Sequence, residues 1–524
     1  MMQKAGSLSP SAPRRTLVWA LVWLALAGLA GGSRPLSAAD SGPSVRDVLG
    51  VAHVAGKYNF TEEDYLNEGA DRILELGSRV IKVWLALDPT RTYPFNSDWE
   101  PIPEEMMDLV QRSYYQELFA KPFKVFLLEL VTAPEVYFVD GMSAEEIERE
   151  RSQAYNLARY LLTTYAGTGK TFVLQNWEGD HLLRSGLPDD GAAPDEVRVQ
   201  GMIDWLNARQ AGVEQARAEV GQQNVEVWHA VEVNHLGRAM QGKVTATNNV
   251  IPFTRADLYS YSTWDIGFDA KKLVKALDYL AAKAPDSKAF GAKNIYLGEF
   301  GAAIDHLKPR QTQRGVIKKL AEAALGWGVR WAVYWEIYCN EPKRVFRGRP
   351  KNRHMRGFWL VKPDGTKAPM WDDFRRMIVA NAQQVALRSS TGQYVAAEEI
   401  PEELLDGEPE REVAVRADRW TRGTGETLTL WDWNGGALED GDPVSLITRD
   451  GSYLATEPGQ GGRLLALDDP EAEPETFLLR KLDGAIALET AAGLFLGTEV
   501  SGEGGIRALR WEAGPAERFQ MVVE

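Results

Sequence analysis

A single cysteine, Cys339, excludes an internal disulfide, so stability must come from apolar cores. It also excludes a cysteine-built metal site, and the six histidines include no H-x-x-x-H pair, so metal chemistry is not expected. Basic excess is missing as well: 59 Lys and Arg stand against 74 Asp and Glu, a net charge of −15 with no basic stripe to offset it. Nucleic acid, whose phosphates demand a positive surface, is therefore excluded as a partner. No G-x-G-x-x-G follows the first apolar run, which removes the usual dinucleotide site, and no G-x-S-x-G elbow supports an esterase. Beyond the N-terminal segment no stretch approaches the ~20 apolar residues of a membrane span.

The N-terminus carries Lys4, Arg14 and Arg15, then an apolar run from Thr16 to Gly32, then small residues up to Ala39. A basic start, a short apolar core and small residues before a break describe a secretory signal peptide over residues 1–39, cleaved after Ala38 or Ala39. An uncleaved N-terminal anchor is the alternative. The expected location is secreted or periplasmic, with no stable membrane span after cleavage.

From about residue 48 apolar runs alternate with amphipathic segments. Runs begin near Val48, Arg79, Phe123, Thr171, Val225, Asp257, Lys293 and Val329, and most are followed by a capped helical pattern. Continuous apolar strands separated by helices imply a parallel sheet covered on both faces. Eight units over residues 45–384 suit an α/β fold of the (β/α)8 TIM-barrel type, with an open doubly wound sheet as the alternative.

In a barrel the chemistry sits at the carboxyl ends of the strands. The seventh run, K-N-I-Y-L-G-E-F-G-A from Lys293 to Ala302, delivers Glu299 between two glycines. The fourth ends Q-N-W-E-G-D, placing Asn176, Trp177 and Glu178 at the opposite side of the mouth. Two facing carboxyls suit glycosidic bond cleavage, one holding a proton for the leaving oxygen and the other attacking the sugar. Seventeen tryptophans leave spare aromatic faces for sugar rings. Glu232 and Asn234, ending the fifth run, form a rival acid/base pair. Glu232 is only two βα units from Glu299, so these two are expected as substrate contacts, together with Lys82, Trp177 and Trp264. Asp265 and Glu336 are expected as sugar ligands or supporting residues, and His53 and His229 as hydrogen-bonded barrel residues. The Glu145–Arg151 charge run is expected on a solvated helix face, and the basic Lys343–Arg356 loop on the surface.

Residues 45–384 resemble the clan A type of retaining (β/α)8 β-glycoside hydrolases, as a divergent family. The resemblance implies Glu178 as acid/base, Glu299 as nucleophile, Asn176 as partner of the sugar 2-hydroxyl, Tyr261 as the tyrosine bonded to the nucleophile, and Trp335 as the sugar platform. Two departures stand out: Trp177 separates Asn176 from Glu178, and Lys82 stands where the clan has arginine near its nucleophile. Lysine supplies the charge without the bidentate fork. The implied activity is hydrolysis of β-linked glucan or mannan, needing no cofactor; the alternative is a non-catalytic glycan-binding or scaffold protein with a degenerate barrel.

After Ala382 a motif recurs three times. V-A-L-R-S-S-T-G-Q-Y from Val385, V-S-L-I-T-R-D-G-S-Y from Val444 and I-A-L-E-T-A-A-G-L-F from Ile486 share one spacing to Gly392, Gly451 and Gly493. Each copy later carries Glu-x-apolar: Glu426, Glu475 and Glu517. Three hairpin-bearing units, none with a closed core of its own, imply one threefold all-β barrel. Residues 385–524 resemble a fascin-like β-trefoil, which implies glycan binding or a structural prop for the barrel. An acidic insert, Glu398 to Glu412, lengthens the first copy.

Overall fold

The computed structural model describes residues 43–132, 138–188, 192–309, 311–397, 412–469, 473–499 and 504–523. The expected signal segment 1–39 and most of the acidic insert lie outside them. Among the described residues no helix is long and apolar enough to cross a membrane.

Eight parallel strands close into a barrel: β1 Leu49–Ala52, β2 Val80–Ala86, β3 Val125–Val131, β4 Thr171–Gln175, β5 Glu226–Val233, β6 Leu258–Ser262, β7 Ile295–Phe300 and β8 Ala332–Tyr334. Strand β8 pairs in register with β1, Leu49 opposite Ala332, which completes the ring and removes any free edge. The strands read as apolar runs because one face meets the barrel interior and the other the helices.

The helix starts follow capping chemistry. Asp64, Ser143, Asp195, Asp269 and Thr312 each accept a backbone N–H of the first turn of helices Tyr65–Leu76, Ala144–Thr164, Glu196–Val220, Ala270–Lys283 and Gln313–Trp327. Two details differ from the sequence reading. The helical segment after β2 is not one helix but two, Met106–Val110 and Ser113–Ala120. The Glu145–Arg151 run is not wholly solvated: Glu150 is buried, accepting from Arg209 Nε at 2.8 Å and Thr132 Oγ1 at 2.7 Å.

Twelve strands follow the barrel, from β9 Asn381–Ser389 to β20 Phe519–Val523. Six of them close a ring by antiparallel pairing: β9 with β12 Leu428–Asp432, then β13 Pro443–Thr448, β16 Phe477–Leu482, β17 Ala485–Glu489 and β20, which returns to β9. Three hairpins complete the unit: β10 Tyr394–Ala397 with β11 Glu412–Arg419, β14 Tyr453–Thr456 with β15 Leu464–Leu467, and β18 Phe495–Thr498 with β19 Ile506–Arg510. The recurring glycines have one cause. Gly392, Gly451 and Gly493 sit at φ of 90°, 85° and 82°, closing the same turn in each copy.

This region docks on helix Gln313–Trp327 of the barrel. Trp431, Ile447 and Tyr453 join the barrel's apolar core. Around them lie Lys319 with Asp468 at 2.5 Å, Lys318 with Glu473 at 3.1 Å, and the Tyr453 hydroxyl donating to buried Glu322. Burial pushes the Glu322 carboxyl up to about 7, against the pull of Lys318.

Candidate active site

Glu299 lies near the carboxyl end of β7, and both its oxygens accept a hydrogen bond. Lys82 Nζ donates to Oε1 at 2.7 Å and the Trp264 indole N–H to Oε2 at 2.9 Å. Two donors on two oxygens suit the ionised carboxylate, which only accepts. Burial pushes the opposite way: it raises Glu299 to about 8, countered by Lys82 and reinforced by the charges of Glu232 and Glu178. Lys82 is thus the group that holds this acid ionisable inside the barrel.

Lys82, fully buried on β2, serves three carboxylates at once: Glu299 at 2.7 Å, Glu129 at 3.0 Å and Glu232 at 3.2 Å. Burial alone would strip its proton, but the three acids outweigh that and hold it charged well above the ordinary lysine range. Burial also drives Glu129 well above the usual carboxylate range. Among the described residues these three acids are the group placed to hold a metal ion, their ligand atoms within 4.8 Å of one another. The Lys82 ammonium stands where a cation would sit.

Glu178 follows β4 and is 5 % exposed, at the head of the short helix Gly179–Leu183. Its Oε2 faces His181 Nδ1 and accepts from Asn234 Nδ2 at 3.3 Å. The bond to Glu178 raises the His181 imidazole above its ordinary value. Asp180 locks this turn onto the β5 loop, accepting backbone N–H groups of Asn234, His235 and Ala246 at 3.1, 3.0 and 2.8 Å.

Several expected roles are corrected. Glu232 is not open to a substrate: Lys82, Gln175 Nε2 at 2.9 Å, Ser260 Oγ at 2.8 Å and the Glu178 N–H at 3.3 Å all point at it. A fully buried acid so enclosed anchors the barrel interior and has no room for a glycosidic oxygen. Asn176 does not face a sugar hydroxyl, because its amide brackets the Glu232 backbone, accepting N–H at 3.1 Å and donating to C=O at 3.0 Å. Tyr261 does not bond Glu299; it donates to Asp265 at 2.6 Å. Tyr259 and Tyr261 share one face of β6 by strand alternation, and Ser260 takes the inward face, so both tyrosines point to the helix layer. Lys82 and Asn234, expected as substrate contacts, are buried and spent on carboxylates.

Trp177 remains at the mouth, half-buried, its ring 6.2 Å from Trp84 and 5.7 Å from His181. Trp264 meets Phe358 edge-on at 5.4 Å while its N–H holds Glu299. Trp335 ends the barrel wall beside Glu336, which is fully buried and accepts the Asn340 N–H at 2.8 Å. His53 and His229 are buried and hydrogen-bonded, to the Tyr65 carbonyl and Gln210.

Sequence reasoning missed Glu129, Ser260, His181 and Asp180. Glu129 carried a signal, being one acid inside the apolar strand F-L-L-E-L-V; the others carried none beyond lying near a strand end.

No protein-family model matches this chain, and no curated protein does. Among solved structures, it is similar to a GH5_18 enzyme from Bifidobacterium longum in complex with Manβ1-4GlcNAc, at 14% identity over 63% of this chain and 77% of the other, TM-score 0.41. A GH39 β-xylosidase from Caulobacter crescentus shares 14% identity over 74% of this chain and 80% of its own, TM-score 0.39. The Rhizoctonia solani agglutinin matches 27% of this chain with 96% of its own at 16% identity, TM-score 0.22.

Proposed function

We propose that the chain is an exported retaining glycoside hydrolase acting on β-linked polysaccharide or oligosaccharide of glucan or mannan type. The observation that carries this is Glu299, held at the barrel mouth by one donor on each oxygen, with Glu178 near enough for its charge to act on it. The paired donors favour the carboxylate form that a nucleophile needs. Glu178 has one oxygen turned to His181 and Asn234 and is the less enclosed of the two.

In the first step Glu178 gives its proton to the glycosidic oxygen as the bond to the anomeric carbon breaks, and Glu299 attacks that carbon to form a glycosyl ester. In the second, Glu178 takes a proton from water as the water oxygen attacks the anomeric carbon, releasing Glu299 as carboxylate. Two inversions give net retention. Trp177 and Trp335 supply aromatic faces for sugar rings, and Trp264 keeps the nucleophile aimed. The closed ring with three hairpins, from β9 onward, is the arrangement expected of a β-trefoil, and we assign it a glycan-holding role.

The test is reducing-sugar release from a panel of β-glucans, mannans, xylan and galactan by wild type, Glu299→Gln and Glu178→Gln, with product anomer followed by NMR. Wild-type release that collapses in both variants, with a retained anomer, supports the assignment. An inverted product, or activity surviving Glu299→Gln, overturns it. Binding without release moves the chain to the non-catalytic reading.

A further inference from the structure

Among the described residues only Trp420 and Trp511 are tryptophans left well exposed, at 70% and 64%. They occupy the same place in two copies of the repeat. Counting from Ala417 and Ala508, which pair with Val395 and Leu496 in the two hairpins, Arg419-Trp420 and Arg510-Trp511 fall two and three residues on. Each indole lies over its repeat's glycine turn. A Cβ on Gly392 would come 3.7 Å from the Trp420 ring and one on Gly493 3.4 Å from the Trp511 ring.

The remaining copy differs in both respects. Counting from Ala466, the pair is Asp468-Asp469. Its glycine turn is covered by the barrel: the position of a Cβ on Gly451 lies 3.5 Å from Ala323 Cβ and from the Lys319 carbonyl. Asp468 there joins Lys319 at 2.5 Å and Lys271 at 2.8 Å. Tryptophan thus stands at the two copies open to solvent, and an acid that ties the domain down stands at the copy the barrel covers. A fold requirement of the hairpin would act on all three copies alike.

We propose that Trp420 and Trp511 are the floors of two equivalent saccharide-binding sites, which hold the β-linked polysaccharide while the barrel cuts it. The ligand class rests on the hydrolase reading above. The flat C–H face of a pyranose matches an exposed indole. Polar groups border each glycine turn beneath the rings: Arg388, whose Nε donates to the Gly392 carbonyl at 2.7 Å, at one site and Glu489 at the other. Two sites on one rigid unit add avidity for a polymer and nothing for a short oligosaccharide.

The test uses the full chain in affinity electrophoresis through soluble mixed-linkage β-glucan and galactomannan, and in pull-down on insoluble cellulose and mannan. Trp420→Ala and Trp511→Ala are each expected to weaken retention about tenfold, and the double variant about a hundredfold. Release from a short β-linked oligosaccharide should stay at the wild-type rate, and Trp→Tyr at either site should keep most of the binding. Retention unchanged in the double variant overturns the sites. So does retention lost equally in the Tyr variants with a fall in Tm, which would make the rings structural, or with a change from dimer to monomer, which would make them a contact between copies. A wild type that cuts but is not held through these rings leaves the hydrolase reading standing alone; one that is held but never cuts leaves the sites standing without it.

Discussion

Lys82→Met is the most informative single change at the barrel mouth. It keeps the length and apolar stem of the side chain and removes the one cation that, among the described residues, touches Glu129, Glu232 and Glu299. At 2.7 Å, and with an effective dielectric of about 20, one unit charge stabilises another by about 6 kcal/mol, or about four pKa units. Glu299 already stands at about 8, so the loss drives it beyond the working range and removes the ionised minority on which its proposed role as nucleophile depends at neutral pH. The expected outcome is a fall in kcat/KM of about 10³-fold or more near pH 7. The ascending limb, near pH 8 in the wild type, should vanish below the pH where the protein unfolds. Stability follows the same sign. A carboxyl whose folded value lies above its unfolded one is stabilising below the unfolded value, and that contribution is lost as pH rises through the folded one. The variant should therefore hold its fold best in acid and lose Tm more steeply than wild type on the way up. The assay is kcat/KM against pH with Lys82→Arg alongside, which restores the charge and should recover part of the rate. Activity within tenfold of wild type, with the ascending limb unmoved, would refute the claim that this ammonium keeps Glu299 ionisable in the working range.

Trp264→Phe keeps the ring and removes the N–H 2.9 Å from Glu299, so kcat/KM should fall about 10- to 100-fold while KM moves little; unchanged kcat would dismiss the indole as an aiming group. Glu178→Gln should lower the rate about 10²- to 10⁴-fold on natural glycosides and far less on an aryl glycoside with an acidic leaving group, and equal losses on both would deny it the role of proton donor. Glu322, raised to about 7 at the interface with Tyr453, makes stability decline between about pH 4.5 and pH 7. Glu322→Gln, measured by Tm against pH, should remove a slope worth on the order of 3 kcal/mol across that window.

The barrel was legible because its signal is local and repeated. A strand covered on both faces has to be apolar throughout, and Asp or Ser or Thr ahead of an amphipathic stretch caps a helix whatever lies across the fold. The threefold repeat was legible for a related reason, since a turn at φ of 82–90° admits glycine and little else, and Gly392, Gly451 and Gly493 mark it each time. What could not be read is which of two buried faces looks inward. In β6 the resemblance sets Tyr261 beside Glu299, whereas Ser260 takes the inward face and Tyr261 bonds Asp265. Nothing local decides this, because a tyrosine satisfied by Asp265 and a serine satisfied by Glu232 are both acceptable in a dry interior. The decision lies with charge placed far away in the chain. Three acids from β3, β5 and β7 converge on one lysine from β2, and once that cluster exists only small donors such as Ser260 and Gln175 fit around it. The same cluster accounts for a lysine at position 82. An arginine fork needs a planar approach to a single carboxylate, whereas an ammonium can be shared in three directions. Lys82 and its three acids therefore support one another: the ammonium offsets the carboxylates, Glu299 among them, and the carboxylates hold the buried ammonium charged.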